Sequence, residues 1–193
     1  MITSLLPRFL VTAPFFVLAN VAFSQTTIVG ASEDGTIREG QATTVQDAGI
    51  GESLFVRRDN GANNDNVRKA YFQFDLTGLN ADLTAAATFT TTISYRSQNQ
   101  NGNRVFYFYG LDEGFTPTGT ELDTDWDETA LTWNNAPGND TSIDIDTGFD
   151  EATTTLIYAA TNQYNSDVGK VYNVTIPNLG DFVQADNTIT LMV

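Results

Sequence analysis

"TDWDETALTWNNAP", residues 124–137, holds both tryptophans of the chain and three acidic side chains, and closes on Asn-Asn-Ala-Pro. Two indoles among carboxylates suit a sugar-stacking platform, a catalytic carboxylate site or a corner of the core. Spacing decides between them. Leu131 and Trp133 are two apart, so on a strand they share one face and Thr132 takes the other. A large indole beside a leucine packs inward, and Trp133 is expected in the core. Trp126 stands before that strand, between Asp125 and Asp127, and is expected to cap one end of the core. Asn134, Asn135 and Pro137 form the turn that stops the strand. The stretch is expected to build the fold, with the ligand held elsewhere.

Working outward, the pattern is β almost throughout. In "KAYFQFDL" (69–76), Ala70, Phe72, Phe74 and Leu76 face one way and Tyr71, Gln73 and Asp75 the other. "TFTTTISY" (88–95) sets Phe89, Ile93 and Tyr95 against a row of hydroxyls. "RVFYFYGL" (104–111) is apolar or aromatic on both faces, as in a strand covered on both sides. "GESLFVRR", "KVYNVTI" and "NTITLMV" read as further strands, separated by turn clusters such as "RDNGANNDN" and "SQNQNGN". One short helix is expected after Pro177, with Leu179, Phe182 and Val183 on its buried stripe. The expected fold is all-β: a jelly-roll-like two-sheet antiparallel β-sandwich with one short helix.

The chain has 193 residues, and its start is of a different kind. Arg8 precedes an apolar run from Phe9 to Phe23, and Ala22-Phe23-Ser24 offers a small-residue cleavage site. Residues 1–24 read as a secretory signal peptide, because a membrane span needs roughly 18 or more apolar residues. Residues 25–193 are then expected to form one secreted domain. The final strand stops without a tail, as expected of a trimmed chain or of a fragment of a longer secreted protein, and the domain is expected to be a monomer or a module of a longer chain.

Composition removes whole classes of function. Without Arg8 the mature chain has 8 basic against 24 acidic residues, net −16. Nucleic acid and anionic membrane are poor partners for such a charge. With no cysteine there is no disulfide, and with no histidine there is no Ser-His-Asp triad, Cys-His pair or His-bound zinc.

Several segments together resemble a known family. "GIGESLFVRR", "RKAYFQFDLTGL", "AAATFTTTI", "NRVFYFYGL", the Trp-x-Glu run leading into Leu-Thr-Trp-Asn-x-x-Pro at 126–137, and "VYNVTIPNLGDFV" occur in that order. The chain resembles the DNRLRE domains, also classed as carbohydrate-binding module family 96, although the hexapeptide that names them is absent. The resemblance implies a β-sandwich that binds polysaccharide, in some members acidic alginate-like chains, and is carried by larger secreted proteins.

Ligand contacts are expected where basic residues interrupt the acidic background. Arg57, Arg58, Arg68 and Lys69 bracket "DNGANNDNV"; if the flanking strands form a hairpin, these four meet at its base. Arginine pairs carboxylates bidentately, so Arg58 with Lys69, or Arg57 with Arg68, offers a fork to a uronate. The plainer alternative is surface ion pairing with Asp59 and Asp65. Arg104, Tyr107 and Tyr109 on the aromatic strand complete the candidate set, the tyrosines as a stacking face, although at least one of them is expected in the core. Asp123, Asp125, Asp127, Asp140, Asp144, Asp146 and Asp150 are oxygen donors of the kind a structural Ca²⁺ uses, but they lack EF-hand spacing and read as solvated loops. No cofactor is expected. No carboxylate pair stands out for glycoside hydrolysis, and uronate elimination often uses a histidine. The expected function is a non-catalytic, secreted carbohydrate-binding module. The alternatives are a structural surface or matrix module without a glycan ligand, and a polysaccharide-degrading enzyme.

Overall fold

The computed structural model describes residues 27–46, 54–57, 66–79, 82–92, 104–141, 148–162 and 169–193. They include seven strands: β1 (Glu33–Arg38), β2 (Arg68–Asp75), β3 (Ala87–Thr92), β4 (Arg104–Leu111), β5 (Thr154–Asn162), β6 (Val171–Ile176) and β7 (Thr188–Met192). They form a five-stranded antiparallel sheet, in the order β1-β2-β7-β4-β5, and a two-stranded antiparallel sheet, β3-β6. The two-sheet β-sandwich read from the sequence is the observed architecture.

Alternation places the core on both faces of the large sheet. On one face Phe72, Phe74, Phe106, Phe108, Ile189 and Leu191 pack against Phe89, Tyr172, Val174 and Ile176 of the small sheet. Phe89 is the hub, its ring 5.2 Å from Phe72 and 6.2 Å from Phe108. On the opposite face Ile37, Tyr71, Tyr109, Leu111 and Met192 pack against Trp126, Leu131, Trp133 and Phe149. The last four belong to the long connection between β4 and β5. Tyr71 sits at its centre, edge-on to Trp126 at 6.2 Å and to Phe149 at 6.0 Å.

Both tryptophans are buried, as expected, but not on a strand. Side chains in the motif satisfy the backbone locally, so no ladder is needed. Asp127 Oδ1 accepts from the Thr129 amide at 2.7 Å and its hydroxyl at 2.6 Å. Asn135 Oδ1 accepts from the Thr132 amide and hydroxyl, and Asn135 Nδ2 donates to Ala130 O. The turns are tied to the sheet by buried polar contacts: Trp126 Nε1 donates to Thr190 Oγ1 at 3.0 Å, and Gln73 Nε2 donates to the carbonyls of Thr124 and Trp126.

Other differences have equally local causes. The expected helix is a four-residue 3-10 turn, Leu179–Phe182, and a second one covers Glu39–Gln41. Phe182 lies so close to Gly110 that a β-carbon there would meet its ring at 2.3 Å, which fixes glycine at that point of β4. Of "GESLFVRR", only residues 54–57 are described, and they make a single bridge instead of a strand. Ile93 and Tyr95 lie outside the described residues.

Candidate functional site

Register assembles a feature that linear reading does not show. β1 and β2 pair with Arg38 opposite Arg68. On the other side of β2, where Ala70 pairs with Val193, Arg57 pairs with Arg68. Arg57 N donates to Arg68 O at 3.0 Å and Arg68 N donates to Arg57 O at 2.8 Å. Arg38, Arg68 and Arg57 therefore stand side by side in one cross-strand row, and directly opposite residues share a face. With neighbouring strands about 4.7–4.9 Å apart, the row is about 10 Å long.

Like charges directly opposite one another on a sheet are destabilising. Local contacts hold two of the three in place: Arg38 Nη2 donates to Asn66 Oδ1 at 2.6 Å, and the Arg68 guanidinium lies 5.2 Å from the centre of the Phe55 ring. Arg57 is exposed, and Arg38 and Arg68 are half-buried. The expected pairing of Arg57 with Arg68 is present. Arg38 was not among the sequence candidates, because only strand register brings it to Arg68. Arg58 lies outside the described residues.

Lys69 is on the other face of β2, away from this row, and only 6% exposed. Its Nζ lies 4.5 Å from the centre of the Trp133 ring and 4.7 Å from that of Phe149, and donates to Asn139 Oδ1 at 2.6 Å. Asn139 is buried too, and its Nδ2 donates to Trp133 O at 2.6 Å. Burial brings the Lys69 pKa down to about 7, against the opposing pull of the Asp140 and Glu39 carboxylates. The expected fork of Arg58 with Lys69 thus loses Lys69 to the interior: alternation along β2 sends it to the side covered by Trp133 and Phe149.

The aromatic candidates divide similarly. Tyr109 is buried, its ring 5.0 Å from Phe149. Burial raises its hydroxyl pKa, with Glu151 and Tyr107 adding to the effect. Tyr107 is 45% exposed, next to the exposed Val105 and Leu156, and on the face opposite the arginine row. Arg104 begins β4, its backbone paired with Asn162, at the same end of the sheet as Arg68.

An open cleft of about 660 Å³ lies within the connection between β4 and β5, bordered by the Lys69 partners Asn139 and Phe149. Glu121, Asp140, Asp150 and Glu151 line it, so its charge opposes an anionic chain. Among the described residues no cluster of three or more acidic side chains is placed to hold a metal ion. Asp127 and Asp150 instead bond turn amides. No described helix is long and apolar enough to cross a membrane.

No curated protein matches this chain. Residues 25–159, which contain the arginine row, the tryptophan connection and β4, match the family described as carbohydrate-binding module family 96. An antiparallel sandwich with this tryptophan connection, matched over most of its length, identifies the chain as a member of carbohydrate-binding module family 96.

Proposed function

We propose that this module binds an acidic polysaccharide of the uronate class through Arg38, Arg57 and Arg68, without catalysis, as a secreted domain whose signal peptide is residues 1–24. The arginine row carries this reading. Three guanidinium groups across about 10 Å of a strongly acidic protein form a local surface for successive carboxylates. Long-range repulsion does not forbid it, because at physiological salt the screening length is about 8 Å and a touching arginine outweighs distant carboxylates. The module needs no cofactor for this, and it acts alone or within a longer chain. Affinity electrophoresis through gels containing a polyuronate or a neutral glucan tests the reading. Retardation by the polyuronate alone supports it; retardation only by the neutral gel moves the site to Tyr107 with Val105 and Leu156.

A further inference from the structure

Lys69 and Asn139 are 70 positions apart in sequence, and their side chains meet in the interior. The amine is walled by Trp133 and Phe149, and its donor distance to Oδ1 is 2.6 Å. The carboxamide carbon is one bond behind that oxygen, close to the roughly 3–3.5 Å of a near-attack contact. Asn139 cannot swing away, because its nitrogen is held by Trp133 O. Gly148, at φ +67°, lies beside the amine, where a β-carbon would be in ordinary contact, 3.7 Å from Lys69 Cε and 3.9 Å from Nζ.

We propose that Lys69 and Asn139 condense into an intramolecular amide that staples β2 to the tryptophan connection. The nucleophile is the uncharged amine, and a desolvated lysine loses its proton far more readily than one in water. The Nζ lone pair attacks Asn139 Cγ, and the carbonyl electron pair moves to Oδ1. When the carbonyl re-forms, the Cγ–Nδ2 bond breaks. One proton passes from Nζ to Nδ2, which leaves as ammonia, so the sum is amine plus carboxamide giving secondary amide plus ammonia. Asp140, the carboxylate Lys69 feels most, carries the proton. Asn139 and Asp140 also line the open cleft, which gives ammonia a way out. The chain has no cysteine, so any covalent tie across this sandwich must come from other side chains.

Peptide mapping of the mature, folded protein by tandem mass spectrometry decides the matter. The expected result is one branched peptide containing both Lys69 and Asn139, one ammonia lighter than its two parts. Mapping is needed because cyclisation of an N-terminal Gln25 also sheds ammonia without forming a branch. Asn139→Asp should reach the same branched product by losing water, whereas Lys69→Met and Asn139→Ser should give only linear peptides. Recovery of Lys69 and Asn139 from the folded wild type in separate, unmodified peptides overturns the proposal, whether or not any variant folds.

Discussion

Arg68 and Lys69 are adjacent in sequence and lie on opposite faces of β2, the first in a half-exposed row of arginines and the second sealed beneath Trp133. One strand thus puts one cation where a ligand can reach it and the next where only the protein can.

The two positions should separate binding from stability. Arg57→Ala should weaken polyuronate retardation and shift the thermal midpoint little, since an exposed charge contributes about 0–1 kcal/mol. Adding Arg68→Ala should abolish most of the retardation and also cost the contact with Phe55. Affinity gels and a melting curve on one preparation measure both. Unchanged retardation would remove the row from the site.

Binding through that row should weaken with salt. In about 1 M salt the screening length is about 3 Å, so polyuronate retention should be largely lost while the melting curve stays cooperative. Retention that is constant across the salt series would point to uncharged contacts.

Trp133→Ala should cost about 3–5 kcal/mol in denaturant unfolding, the range for a deleted core indole. Trp126→Phe keeps a ring but strands the Thr190 hydroxyl, and should cost about 1–3 kcal/mol. Folded protein of either variant should retain polyuronate binding, because both indoles pack on the opposite face of the large sheet from the arginine row.

A free amine at position 69 has a signature of its own. In Asn139→Ser, which cannot close the amide, the Lys69 pKa stays low in the native state and ordinary in the unfolded one. Between about pH 7 and 10 the unfolded chain then binds the extra proton, so stability rises with pH across that window. The penalty of burying the charged form is felt in full below it. Chemical unfolding at pH 7 and 9.5 should show the rise in Asn139→Ser and its absence in Lys69→Met.

Secreted material should begin at Gln25, which N-terminal mapping checks. A start several residues away would place the cleavage site elsewhere.

Sequence reading went furthest where the signal is local. The alternation of "KAYFQFDL" marks β2, and a tryptophan two residues from Leu131 marks a buried indole even though the backbone there is turn. β1 was invisible because Glu33, Asp34 and Gly35 mask its alternation, and β5 because "TTLIYAATN" has little polarity contrast. The site was half legible. Arg57 and Arg68 bracket one loop and meet, but Arg38 joins them only through a pairing that no local pattern specifies. Lys69 looked like part of the same basic cluster, since no linear pattern announces that both faces of its strand are covered.

β7 is the last of the described strands and the middle strand of the large sheet, with β2 on one side and β4 on the other. Until Thr188–Met192 has been synthesised, the earlier strands have no common partner, and Trp126 has no Thr190 to bond. Loop closure over such separations slows folding, and a ribosome-bound chain remains open for as long as its centre is missing. The large sheet therefore closes only once Thr188–Met192 is available. If residues 1–24 direct export as proposed, that delay keeps the chain threadable through a translocation channel.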